Sequence, residues 1–200
     1  MQRSRVKELY YITPIENLPS IVKVGILSHT ASKKLRCKSI ADPEIQKRRE
    51  KQVPGTEKEL HDYANLYFNP RNPMMFKRKD LHQEICVLRV NSSVLDLPGV
   101  IVTDGNASSG YAGFYESPGG LRHLDGDLIY ATDWTDDNQF EAWRRKRCIC
   151  AEVLVPDPVA VGFIDGIYVS CSASLDKVKQ LLRDHPLCEN LSINADLFFK

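Results

Sequence analysis

The stretch RCICAEVLVP, residues 147–156, constrains the fold more than any other part of the chain. With the two-residue period of a strand, Ile149, Ala151, Val153 and Val155 fall on one face, and Cys148, Cys150, Glu152 and Leu154 on the other. Both faces are apolar except at Glu152. A strand apolar on both faces needs cover on both, which places it at the centre of a sheet with layers above and below. A carboxylate there needs either an ion-pair partner, a place near solvent at the strand end, or a chemical task.

The remaining elements fit such a sheet. Strands are expected at Leu9–Ile12, EICVLRV (84–90), GVIVTD (99–104) and GIYVSC (166–171). A short helix follows the first strand, with Asn17 as N-cap, Pro19 in its first turn and Gly25 closing it. A second helix is expected from Asp42 as N-cap and Pro43 through EIQKRREK, ending before Val53-Pro54-Gly55. SLDKVKQLLRD (174–184) has Leu175, Val178, Leu181 and Leu182 at helical spacing. ANLYFNPRNPMMF mixes aromatics with two prolines and reads as a short strand entering a shaped loop. Between Gly105 and Asp137 little periodicity survives, and loops of that length in a compact domain are usually functional. A polar helix, NQFEAWRRKR, then leads to the strand with Glu152. There is no repeat and no linker, so the expectation is one α+β domain.

With 42% hydrophobic and 26% charged residues the composition is that of a globular protein, and no apolar run approaches the roughly 20 residues of a membrane span. The N-terminus shows no apolar leader, and a cytoplasmic location is expected. The six cysteines are scattered without a C-x-x-C pair, so Cys148 and Cys150 read as buried thiols and no metal is expected. The net charge of +1 hides an asymmetry. Residues 1–80 carry 17 Lys and Arg against 9 Asp and Glu, and the rest of the chain 10 against 17. The basic residues cluster in KKLRCK (33–38), KRREK (47–51), FKRK (76–79) and RRKR (144–147), as phosphate-binding surfaces or as solvated helix faces.

A carboxylate held on a rigid strand beside a loop-built pocket can bind a sugar hydroxyl, stabilise an oxocarbenium-like transition state or accept a proton. Ordinary glycoside hydrolysis needs a second carboxylate, and no strand offers an obvious one. Cleavage of the nicotinamide–ribose bond of NAD needs none, because the leaving group is already cationic.

Four stretches in order, YYIT (10–13), EIQKRRE (44–50), YFNPRNPM (67–74) and AEVLV (151–155), resemble the DarT family of DNA ADP-ribosyltransferase toxins. The resemblance implies an ADP-ribosyltransferase fold over residues 1–200, a central split, antiparallel-rich sheet flanked by helices. It implies NAD as co-substrate, no metal, and single-stranded DNA as acceptor, since a base must leave the stack to react. Glu152 would be the catalytic glutamate. Arg48, the first arginine of the pair, would be both catalytic and NAD-contacting, leaving Arg49 as an exposed helix arginine. Tyr11, Ile12 and Thr13 would line the NAD cleft, Tyr11 standing where the family usually has histidine, with Ser20 and Ser28 as further contacts. Residues 32–50 would form a flap over NAD and 105–151 the substrate-recognition loop. Arg71 and Met74 would face the DNA groove, Tyr130 and Trp134 would stack on bases, and Arg144, Arg145 and Arg147 would track phosphates. The modified base would be thymine or guanine, Tyr11 tilting the expectation toward guanine. An antitoxin hydrolase, a macrodomain or a NADAR-type enzyme, would be the partner. Two other readings stand beside this one: an ADP-ribosyltransferase acting on RNA or protein or merely hydrolysing NAD, and a non-enzymatic nucleic-acid-binding module. The last leaves Glu152 unexplained, since a carboxylate repels phosphate.

Overall fold

A computed structural model describes all residues except Arg36, Asp157 and Asp184. Arg36 of the first basic cluster and Asp184, the last residue of the helix expected at 174–184, therefore lie outside the described residues. The strands are β1 (Glu8–Pro14), β2 (Tyr63–Tyr67), β3 (Ile85–Asn91), β4 (Ile101–Thr103), β5 (Phe114–Glu116), β6 (Glu152–Pro156), β7 (Ile164–Val169) and β8 (Leu191–Ile193). The α-helices are α1 (Leu18–Val24), α2 (His29–Ser32), α3 (Pro43–Arg48), α4 (Pro73–Phe76), α5 (Gly126–Ile129), α6 (Gln139–Cys148) and α7 (Ser172–Leu182).

Among the described residues the strands form one sheet in the order β5-β4-β6-β2-β1-β3-β7-β8, antiparallel except for β7 with β8. The sheet is split in its middle. β1 and β3 pair over seven residues and β2 and β6 over five, but β1 meets β2 only at Tyr10 and Tyr67. Two well-paired halves joined at one point can splay apart, and the site lies at that opening.

β6 is central and covered on both sides, as its apolar pattern requires. Val153 and Val155 join Ala64, Leu66 and Val102 in the main core, while Leu154 packs with Val53, Leu60, Tyr63 and Ile101 in a second cluster. The strand begins later than its pattern suggests: Cys148 closes α6, and only from Glu152 onward does the chain pair with β2 and β4. Two further local expectations change. Phe114–Glu116, inside the stretch without periodicity, pairs with β4, because a strand of three residues carries too little pattern to be seen. α3 stops at Arg48 rather than near Val53.

The helix-start signals hold where the side chain is free to act. The Asp42 carboxylate accepts the N–H groups of Glu44 and Ile45 and starts α3, with Pro43 at its first position. Asn17 precedes α1 but makes no cap bond. Its amide instead donates to Thr13 Oγ1 and the Lys38 carbonyl and accepts the Lys38 N–H, tying the segment after α2 to β1. Gly25 ends α1 at φ +84°, a conformation that L side chains rarely adopt, and a Cβ there would lie 2.3 Å from the Val159 carbonyl oxygen. Gly25→Ala is therefore expected to destabilise the chain by about 2 kcal/mol or more, read as a lowered denaturation midpoint. A variant as stable as the parent would show that the α1 end does not need this conformation.

Candidate active site

A cleft of about 600 Å³ opens between the two halves of the sheet. Tyr11, Ile12 and Thr13 enter it from β1, Tyr63, Asn65 and Tyr67 from β2, and Ser20 from α1. Residues 37–42 and α3 close one side, with Ile45, Gln46 and Arg49 on its wall. Asn106, Lys146 and Cys150 border it from the loop after β4 and from α6.

Glu152 is fully buried at the start of β6, opposite Tyr67 in register. Its Oε2 accepts Arg49 Nη1 at 2.9 Å, and its Oε1 accepts the Ala107 N–H at 3.0 Å. Its own N–H donates to Thr103 Oγ1 at 3.1 Å, fixing the residue to β4. Both carboxylate oxygens are thus satisfied, one by the residue that follows α3 and one by the backbone of the long loop. Burial, followed by the facing Glu152 charge, raises the Tyr67 phenol well above its ordinary range, so it stays protonated as a hydrogen-bonding wall.

The two arginines of the IQKRR stretch are placed differently, and it is Arg49, expected to be exposed, that is buried. Arg48 points to solvent, with 63% of its side chain exposed, and pairs with Glu44 at 3.7 Å. Arg49 is the buried one, 7% exposed, and faces Glu152. Helical spacing explains the difference. Glu44 and Arg48, four residues apart, share the outer face, while Ile45 and Arg49, also four apart, share the inner one. Ile45 is the only apolar residue between Pro43 and Arg49, and it marks the inward face in the sequence.

The other expected residues divide. Tyr11, Ile12, Thr13, Ser20 and Met74 are brought together on the cleft. Burial pushes the Tyr11 phenol up to about 12, so it acts as a neutral donor and acceptor. Ser28 is buried and caps α2 by accepting the Ala31 N–H, and it does not line the cleft. Arg71 does not line it either: it donates to the carbonyls of Asp196 and Phe198 and lies 4.0 Å over the Phe199 ring, holding the C-terminal segment. Tyr130 packs on the main core with Arg5 over its ring, so it offers no free stacking face on both sides. Trp134 meets Phe76 and Phe199 edge-on at 6.0 and 5.7 Å. Arg144 pairs with Asp125 and Glu141, Arg145 with Asp136, and Arg147 with Asp104, so none is an uncompensated charge.

Sequence reasoning missed Arg49, Tyr67, Asn106 and a histidine pair. The rings of His29 and His61 lie 4.4 Å apart between centroids, tilted by 35°, at the cleft wall. Arg49 Nη2 and His61 Nε2, both buried, have no hydrogen-bond partner among the described residues. Buried polar atoms without partners on a cleft wall are donors or acceptors available to a ligand. The cleft's cations also include Lys33 and Lys146, which pair with no carboxylate among the described residues. The described residues contain no group of three or more His, Cys, Asp or Glu able to hold a metal, and no helix long and apolar enough to cross a membrane.

The model of a protein family described as "ssDNA thymidine ADP-ribosyltransferase, DarT" matches residues 10–199. The chain belongs to the DarT family. It is 32% identical over 227 residues to a DNA ADP-ribosyl transferase–DNA ADP-ribosyl glycohydrolase fusion protein of Thermosipho africanus, covering 98% of this chain and 55% of that one. This chain thus spans about half the length of that relative. It is 29% identical over 192 residues to the DNA ADP-ribosyl transferase of a Thermus species, covering 89% of this chain and 88% of that one. Solved structures of such DarT proteins share the fold. The Thermosipho africanus protein in complex with ADP-ribose matches with a TM-score of 0.83 at 28% identity, over 96% of this chain and 51% of that one. Thermus sp. 2.9 DarT in complex with ADP-ribosylated single-stranded DNA matches with 0.84 at 26%, over 98% and 97%. The split, antiparallel-rich sheet expected from the DarT motifs is the one observed.

Removing one member of a buried ion pair strands the other, at a cost of about 3–5 kcal/mol, whereas an exposed i,i+4 pair contributes about 0.3–0.5 kcal/mol. Arg49→Ala is expected to lower stability by the larger amount and Arg48→Ala by the smaller, measured by urea denaturation. Equal effects would reject the buried pair. A second expectation concerns pH. Burial, then the charges of His29, Arg49 and Lys33, lowers the proton affinity of His61 below its ordinary 6.5, with Glu50 opposing. For His29, burial and then Lys33 and Arg49 act the same way. The unfolded chain therefore binds these protons first as pH falls. Their contribution to stability is complete above about pH 6.5 and is lost as pH falls through the lower folded value. His61→Gln should flatten the fall in Tm between pH 7 and 5, and an unchanged slope would show that His61 does not carry it.

Proposed function

We propose that this chain transfers ADP-ribose from NAD to a base of single-stranded DNA, with Glu152 and Arg49 at the reacting centre. The observation that carries the proposal is the buried Arg49–Glu152 pair, set behind a cleft whose wall has unpartnered nitrogens. Structures of two DarT relatives, in complex with ADP-ribose and with ADP-ribosylated single-stranded DNA, support the transferred group and the acceptor.

Arg49 takes the role that the resemblance assigns to Arg48. Its free Nη2, with Lys33 and the unpartnered His61 Nε2, suits the diphosphate and ribose oxygens of NAD. Tyr11, Thr13 and Ser20 supply hydroxyls on the opposite wall. Glu152 accepts a hydrogen bond from the nicotinamide ribose, favours the positive charge that develops there and helps remove the proton of the attacking base. Arg49 now covers that carboxylate, so the reactive arrangement requires its guanidinium to turn from Glu152 onto the substrate. Nicotinamide leaves as a neutral molecule, so no second carboxylate is needed.

The flap over NAD is residues 32–50, latched by Asp42–Lys77 and by Arg78 on the Ile40 carbonyl. The recognition loop is residues 105–151, joined to the site by the Ala107–Glu152 bond and by Lys51 on the Ser109 carbonyl. The family description names thymidine as the acceptor, whereas Tyr11 in place of histidine leans toward guanine. Such a transferase is a toxin whose partner removes ADP-ribose, and the Thermosipho africanus relative, whose name joins transferase and glycohydrolase, supports that pairing.

The test incubates the protein with NAD and four single-stranded oligonucleotides, each lacking one base, and reads intact mass. One ADP-ribose gained on all but one oligonucleotide, and lost in Glu152→Ala, is the expected result and identifies the base. NAD consumption without DNA modification would shift the acceptor to RNA, protein or water. Neither outcome, with DNA bound, would leave a nucleic-acid-binding module.

A further inference from the structure

Three segments bring a group of cationic or protonatable side chains to one wall of the cleft. His29 and Lys33, four residues apart, come from α2 and the residue after it, Arg49 from the end of α3, and His61 from the turn before β2. Arg49 gives one nitrogen to Glu152, while its Nη2 and His61 Nε2 are buried with no partner among the described residues. His61 is 6% exposed, and its ring lies against that of His29, which is exposed. Unpartnered polar atoms this deep at the edge of a cavity are costly unless a molecule that enters the cavity meets them. The carboxylates nearby are engaged or remote from the wall. Glu152 is held by Arg49 and Ala107, Asp62 accepts the Glu59 N–H, and Glu50, the carboxylate that acts on His61, is itself exposed. Lys33 pairs with no carboxylate among the described residues. The surplus is positive, and its donors come from separate segments, which suits an anion of more than one phosphate.

The two imidazoles add a proton to that account. A diphosphate ester offers only acceptor oxygens, whereas a neutral imidazole has one donor and one acceptor nitrogen and donates from both only when protonated. The protein alone opposes that protonation. Burial, then Lys33 and Arg49, hold His29 below its ordinary value, and burial, then His29, Arg49 and Lys33, do the same to His61 against the pull of Glu50. The negative charges of a diphosphate reverse the sign of the field at this wall, so its arrival favours the imidazolium. The other acids whose proton affinity burial raises on the cleft wall, Tyr11, Tyr67 and Cys150, all ionise well above neutrality and stay protonated throughout.

We propose that the His29–His61 pair takes up a proton as the diphosphate of NAD enters the cleft, so that the affinity of this chain for its co-substrate rises as pH falls. The proposal rests on the reading of the cleft as an NAD site. Above the ligand-bound proton affinity of the pair neither state holds the proton, and binding does not vary with pH. Below it, and until the lower ligand-free value is reached, each diphosphate brings a proton with it and binds more tightly.

ADP-ribose is the probe, because its diphosphate ester keeps its charge across neutrality and no reaction follows its binding. Calorimetric titration in two buffers of different ionisation enthalpy gives the protons taken up per molecule bound. A large fraction of one proton is expected at about pH 6.5 and none by about pH 8, with Kd falling by up to about tenfold per unit as pH falls. The imidazole proton resonances, assigned with His29→Gln and His61→Gln, should titrate at higher pH with ADP-ribose bound than without. His29→Gln, at an exposed position, should by itself lower the uptake. His29→Gln/His61→Gln should abolish it and leave Kd level over this range. Binding without proton uptake in the parent, or undiminished uptake in the double variant, would overturn the proposal and leave the cleft as an NAD site. Where the buried His61 substitution prevents folding, His29→Gln and the resonances of the parent decide the matter in the same way. No binding of ADP-ribose by the folded parent at any of these pH values would remove the NAD reading, and this proposal with it.

Discussion

The contact between Arg49 and Glu152 organises the rest of the structure. Two charges withdrawn from water are costly, and their attraction compensates only where geometry is good and the remaining polar atoms are satisfied. Here the carboxylate is matched on both oxygens, by the guanidinium and by the Ala107 N–H, while one guanidinium nitrogen has no partner among the described residues. The bonds around this carboxylate therefore fasten three segments at once: the end of α3, the loop after β4, and the first residue of β6. They also leave in the cleft wall a cationic donor that a ligand can satisfy. The contact that stabilises the fold is thus also the one that borders the cleft.

That arrangement depends on the split in the sheet. Were β1 and β2 paired along their length, their backbone N–H and C=O groups would bond to each other and the opening between the two halves would close. Pairing at Tyr10 and Tyr67 alone keeps eight strands in one sheet while freeing the facing edges to line a cavity. The segment before α3 borders that opening through polar contacts. Lys38 pairs with Glu16 and Glu84, Lys77 with Asp42, and Asn17 holds the Lys38 backbone from both sides. These exposed contacts are individually weak, so the segment can be displaced at little cost.

The basic clusters divide by the same logic. Much of the charge in FKRK and RRKR is met by carboxylates or carbonyls supplied by distant parts of the chain. The cations that remain without a carboxylate partner among the described residues include Lys33 and Lys146, both on the cleft. A cluster's position in the chain shows that charge is concentrated there, and only the fold shows which of it is left over.

What the sequence determined by itself was local. The two apolar faces of β6 require a central strand, Asp42-Pro43 starts a helix, Gly25 ends one, and a lone carboxylate among apolar residues singles out Glu152. Each follows from neighbours a few residues apart, where backbone geometry and side-chain period leave little choice. The inward turn of Arg49 was legible too, through Ile45 four residues before it, although the order of the two arginines suggested Arg48. The tertiary structure decided what depends on segments far apart in the chain. Strand pairing set Tyr67 opposite Glu152, α2 carried His29 onto His61, and the C-terminal segment engaged Arg71, while packing put Tyr130 against the core. No local pattern encodes these, because each depends on which surfaces remain exposed once the two halves of the sheet have formed and been covered.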